Sequence, residues 1–191
     1  MARWEPGTAE RLQDAALGLF AARGYEQTTA GDIAEAVGLT ERTFFRHFTD
    51  KREVLFGGQQ AFTDAFLAGL ADAPDDASAT DLAMRALRSS AAFFDDDRRS
   101  HSRLRQSVID DNPALQEREA LKLAYLGRTL ADELRARGIE PLAADVAAHL
   151  AVMAFGIAFA QWISEGEERS FTDVTTDVVR EVGAVAAQLE P

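Results

Sequence analysis

Two short helical patterns within residues 28–51 constrain this chain more than any other stretch. The first begins at Thr29, a helix-capping residue type, with Asp32 at capping-box spacing where Glu or Gln is more usual. Ile33, Ala34 and Val37 follow as a short apolar stripe, and Gly38 is free to take the positive φ of a sharp turn. The second pattern starts behind Thr40, again a capping type. At about 100° per residue, Phe44 and Phe48 fall on one face and Arg42 and Arg46 on the opposite one. Two short helices joined by a glycine turn make a helix-turn-helix, whose second helix is offered to the DNA major groove.

Arg42 and Arg46 are one turn apart, and such like charges repel by about 0.2–0.5 kcal/mol in an isolated helix. An exposed face that keeps the pair expects an anion, and a phosphate backbone is the obvious one. A plain solvated face is the alternative. The whole chain is acidic, at net charge −12 over 191 residues, which argues against DNA until the distribution is considered. Residues 1–57 carry 7 basic and 9 acidic groups, residues 58–191 carry 13 and 23, and residues 39–52 carry 4 and 2. This predicts docking through one end only, with weak affinity for non-specific duplex.

The residues Thr29, Asp32-Ile33-Ala34, Gly38-Leu39-Thr40, Thr43, Arg46-His47-Phe48, Lys51 and Val54-Leu55 together resemble the DNA-binding region of the TetR family of transcriptional repressors. One departure is Phe45, where that family usually has a Tyr whose hydroxyl meets phosphate. The resemblance implies an all-α protein with an N-terminal three-helix DNA-binding domain, expected over residues 1–56. A helical effector-binding and dimerisation domain is expected over 57–191. It also implies a homodimer, a palindromic operator and release by a small-molecule effector. Base contacts are expected from Glu41, Arg42, Phe45 and Arg46. Arg42 is the leading reader with guanine as partner, and Phe45 offers an apolar contact such as to a thymine methyl. Thr29, Thr40, Thr43, His47 and Lys51 are expected to position phosphates. Arg3 and Arg11 are further candidates for the backbone.

Along the rest of the chain every pattern is helical. Thr8 is expected to cap a helix over 8–23 with the stripe Leu12, Ala16, Leu19 and Phe20, stopped by Gly24. Asp50 and Glu53 are expected to open one helix over 51–70 with Leu55, Phe62, Phe66 and Leu70 inward; by resemblance it transmits effector binding. Gly57-Gly58 inside it reads either as a close helix contact or as a compliant point. A loop over 71–80 precedes helices over 81–94, 98–110, 113–137, 141–164 and from Ser170 or Thr172 to 189. The last two are rich in small residues. By resemblance they pair with their twofold mates as a four-helix bundle.

By resemblance the second half also encloses an effector pocket. Its candidates are Phe62, Phe66, Phe94, Phe159 and Trp162, with Arg105, Tyr125 and Thr129 as polar groups. No cofactor or metal is called for. His47, His101 and His149 are far apart, and neither a phosphate loop nor a nucleophile elbow is present. The chain has no cysteine, which fits a reducing cytoplasm. It starts without the apolar core of a signal peptide, and the apolar run 150–160 is too short to span a bilayer. The rival readings are a helical ligand carrier without DNA function and a small helical enzyme.

Overall fold

The computed structural model describes residues 7–188. Arg3 and Leu189, named above, lie outside them. The described residues form α-helices and short 3₁₀ turns, with no strand. The helices are α1 (Thr8–Arg23), α2 (Ala30–Ala36), α3 (Glu41–His47), α4 (Gln59–Ala68), α5 (Ala79–Ser90), α6 (Arg99–Asp110), α7 (Pro113–Ala136), α8 (Pro141–Trp162) and α9 (Phe171–Ala187). The chain divides into two compact units, one of Met1–Gln59 with Arg103–Ala120 and one of Gln60–Ser102 with Leu121–Pro191. The first unit thus takes in a segment that a division at residue 56 assigns to the second domain.

In the N-terminal unit, α1 buries Leu12, Ala16 and Phe20 as expected, and also Leu17. Leu19 is only half-buried. Its cap is Gly7 in the left-handed region rather than Thr8, which is the first helical residue and is buried. Gly24 and Gly38 both take positive φ and end their helices. Ile33, Phe44 and Phe48 complete the core with Tyr25, whose ring meets Phe20 edge-on at 5.1 Å. Val108 and Ile109 from α6 and Leu115 from α7 pack into the same core. Burying each such side chain contributes about 1.5–3 kcal/mol.

The expected single helix over 51–70 is broken. Asp50 accepts from the amides of Arg52 and Glu53, but what it caps is a 3₁₀ turn, Arg52–Phe56. The chain restarts as α4 at Gln59. Leu55 therefore belongs to the N-terminal core, while Phe66 and Leu70 belong to the other. A Cβ at Gly57 would displace the end of the Gln13 side chain and sit 3.1 Å from the Phe48 ring, which favours the close-contact reading of that glycine.

In the C-terminal unit, Ser78 caps α5 and Ser170 caps α9, each accepting the amide three residues on. The helix expected to reach Phe94 ends at Ser90 and gives way to two 3₁₀ turns, Ala91–Phe93 and Asp96–Arg98. Leu126, Leu130 and Leu134 of α7 are fully buried. α8 turns its alanines inward, Ala144, Ala147, Ala148, Ala151, Ala154 and Ala158. It leaves Leu142, Val146, Met153 and Ile157 half-exposed or more. At 22 residues and mean hydropathy 1.9, α8 is long and apolar enough by length and composition to cross a membrane. The 150–160 run understates it, because apolar residues continue beyond His149 and Gln161. Its alanine face is core against α5 and α9.

Candidate nucleic-acid interface

The helix-turn-helix is held at both starts by side chains. Thr29 Oγ1 accepts from the Asp32 amide at 3.1 Å, and Asp32 Oδ2 accepts from the Thr29 amide at 2.8 Å. The Thr29 hydroxyl and amide together keep the Asp32 carboxyl below its ordinary range. Thr40 Oγ1 accepts from the Thr43 amide at 3.3 Å, and the two hydroxyls lie 3.0 Å apart. α3 is anchored by Phe44, fully buried and 5.4 Å from the Phe48 ring.

That anchoring points the other side of α3 outward. Glu41, Arg42, Phe45 and Arg46 are all exposed. Phe45 is 50% exposed and leans edge-on against Phe44. Thr29 and Thr40 are exposed and Thr43 half-buried on the same part of the unit. His47 is half-buried, with its ring tilted against Phe48.

Of the four cations in residues 39–52, two are engaged within the chain. Lys51 donates to the Tyr25 carbonyl at 2.7 Å and stands 3.9 Å over the Tyr25 ring. Its expected role as an open phosphate contact is thereby qualified, because the ammonium first closes the loop after α1. Arg52 pairs with Asp50 at 3.1 Å. Arg42 and Arg46 make no hydrogen bond or ion pair with the described residues. Arg11, the further backbone candidate, donates to the Val37 carbonyl at 2.8 Å and ties α1 to the end of α2.

Of the expected effector residues, Phe62, Phe66, Phe94, Phe159 and Trp162 do come together, joined by Phe155 and by Phe171, which sequence reasoning had not named. Phe171 follows Ser170 at the opening of α9, a place read for capping rather than for packing. Arg105 does not belong with them. It lies in the N-terminal unit, where it donates to the Leu55 carbonyl at 3.0 Å and to Glu119 at 3.1 Å over the Phe56 ring. Burial pulls its pKa down and Glu119 pulls it back. Tyr125 is half-exposed and Thr129 half-buried, and neither takes part in the ring contacts.

Residues 12–56 match the family model described as bacterial regulatory proteins, tetR family. Over that stretch the chain is similar to the TetR family. Over 63 residues, 33% of the chain, it is 52% identical to the HTH-type transcriptional regulator TcmR of Streptomyces glaucescens. Over 109 residues, 57% of the chain, it is 34% identical to MftR of Mycobacterium tuberculosis, named as a mycofactocin biosynthesis transcriptional regulator. These matches span 28% and 54% of those two relatives. Over nearly the whole chain the fold is similar to that of SmeT in complex with triclosan, at TM-score 0.63 and 19% identity, over 94% of this chain and 91% of that one. A second SmeT structure, described as the repressor of the Stenotrophomonas maltophilia multidrug efflux pump SmeDEF, matches at TM-score 0.60 and 21% identity, over 94% and 90%. At these identities the likeness speaks for fold.

Proposed function

We propose that the chain is a dimeric transcriptional regulator, a repressor that leaves a palindromic operator when a small molecule binds. The observation that carries this reading is the outward face of α3, where Arg42 and Arg46 stand without partners among the described residues, on a molecule of net charge −12. A guanidinium reads guanine through two parallel hydrogen bonds, worth about 1–3 kcal/mol of discrimination. Arg42 takes that role, and Arg46 adds a base or backbone contact. Glu41 accepts from a cytosine amine, and Phe45 packs on a thymine methyl. Thr29, Thr40, Thr43, His47 and Lys51 position phosphates, Lys51 with the donor capacity left over from Tyr25.

One helix-turn-helix covers too short a site to be selective alone, so a second copy is needed. The face that receives it is the outward side of α8 and α9. Large apolar residues there stand out while alanines face in, the reverse of an amphipathic helix that has finished folding. A groove of about 510 Å³ lined by Met153, Ile157, Val182 and Val185 offers seats for matching side chains. Release follows when the effector binds the DNA-incompetent state better than the competent one, a coupling of about 1–3 kcal/mol. The site of action is the cytoplasm, where operator and effector meet.

Selection of bound duplexes from a random pool tests the reading. The expected product is a twofold-symmetric site whose half-sites lie about one helical turn apart or a multiple of it. Recovery of no sequence, or of an asymmetric single site, contradicts it.

A further inference from the structure

The aromatic cluster of the C-terminal unit carries chemistry that DNA recognition does not use. Phe94 sits at its centre, with ring centroids 4.7 Å from Phe171, 5.5 Å from Phe159 and 5.7 Å from Trp162. Phe62 and Phe155 close it from α4 and α8, 5.0 Å apart. Two buried polar atoms of this unit, Trp162 Nε1 and Thr175 Oγ1, have no hydrogen-bond partner among the described residues. Trp162 is fully buried and Thr175 is 1% exposed. Thr175 follows Phe171 by four residues on α9, which sets it on the Phe171 face. The indole N–H only donates, while the hydroxyl can do either. Buried groups of this kind are ordinarily satisfied, and exceptions call for an outside partner.

The charges around the cluster decide what that partner is. The Arg99 guanidinium stands 5.2 Å over the Trp162 ring, and that of Arg98 stands 5.3 Å over Phe93. Those ring faces already carry cations, so a cationic guest meets repulsion there instead of an open π-face. Arg99 is itself held by Asp96 and by the carbonyls of Glu167 and Arg169, so it is not offered to a carboxylate. What remains unmet is the indole N–H within the ring cluster and a buried hydroxyl on the Phe171 face of α9. That calls for a hydrogen-bond acceptor on an uncharged ring system.

We infer that this cluster takes a neutral, flat aromatic molecule bearing a carbonyl oxygen, lodged among Phe94, Phe155 and Phe159 with Trp162 Nε1–H and the Thr175 hydroxyl as its polar partners. The inference rests on the regulator reading, in which this molecule is the effector.

The test uses the full chain with Trp4→Phe, which leaves Trp162 as the sole tryptophan of the two in the sequence. Xanthone and xanthene serve as probes, two flat tricycles that differ by one carbonyl. Benzyltrimethylammonium and 2-naphthoate are the charged arms. Xanthone is expected to move the Trp162 indole proton downfield and to bind at least tenfold more tightly than the other three. Trp162→Phe and Thr175→Val each weaken xanthone about three- to tenfold and leave xanthene unchanged, as loss of one neutral hydrogen bond implies. Equal binding of xanthone and xanthene, no binding at all, tighter binding of either ion, or indifference of xanthone to both variants overturns the inference. Affinity for the selected duplex is measured in parallel. Duplex binding without xanthone binding sinks the ligand class alone. Xanthone binding without duplex binding sinks the regulator reading alone.

Discussion

Arg42 and Lys51 lie nine residues apart, and the structure gives them different work. Arg42 projects from α3 with no partner among the described residues, on the side opposite Phe44 and Phe48. That much was legible from helical periodicity. Lys51 is expected from the sequence as a phosphate contact, but its ammonium is spent partly on the Tyr25 carbonyl and ring. No spacing rule reports a partner 26 residues away. Lys51→Ala is therefore expected to lower stability by about 1–2 kcal/mol as well as DNA affinity on every sequence alike. Thermal melts alongside duplex titrations check it, and an unchanged melt would return Lys51 to a pure phosphate contact. Glu167 offers a titration at the same scale. Hydrogen bonds from Arg169 hold its carboxyl down to about 2, against an ordinary 4.5. Because the folded value is the lower one, its contribution is complete above about 4.5 and is lost as pH falls toward about 2. A carbon-detected NMR titration of Glu167 should show that depressed midpoint, and a midpoint near 4.5 would remove the ion pair from the account.

At the level of elements, the capped pair α2 and α3 was readable because its signals are local: Thr29 with Asp32, Thr40, and Gly38 at φ 72°. The helix over 51–70 was not, because a glycine pair admits either a kink or a break, and here the chain breaks between the 3₁₀ turn Arg52–Phe56 and α4. Nor was the place of 103–120 readable. Ile109 and Leu115 are fully buried in the N-terminal core, and Arg118 pairs with Glu53 of the 3₁₀ turn Arg52–Phe56. These are contacts across more than fifty residues, carried by few apolar positions in a polar stretch. Ile109→Ala is expected to destabilise the N-terminal unit by about 2–5 kcal/mol, although it lies outside the segment that resembles the family. Hydrogen exchange of α1 and α3 amides reads this, and protection unchanged from the parent would contradict the integrated core. In the aromatic cluster, five of eight expected effector residues converge, because large rings at helical spacing are a core signal whatever they also bind. Arg105 misled because a lone Arg carries no periodic sign of which core it lies against.

For the whole molecule the account needs two copies. The outward Met153, Ile157 and Val185 are intelligible if a partner covers them. Ile157→Glu is expected to turn a dimer into monomers by sedimentation and to cost most operator affinity, since each copy then holds one half-site. A variant that stays dimeric and binds normally would move the interface elsewhere. The net charge of −12 makes this pairing matter more, because the bulk of the surface repels DNA and two small cationic faces must carry the attraction. The most direct measurement is a base-by-base substitution scan of the selected duplex with the parent and with Arg42→Ala. The account predicts a loss of about 1–3 kcal/mol on the preferred site, with discrimination erased at one base pair in each half-site and kept at the others. A uniform loss at every position, or no loss, would contradict it.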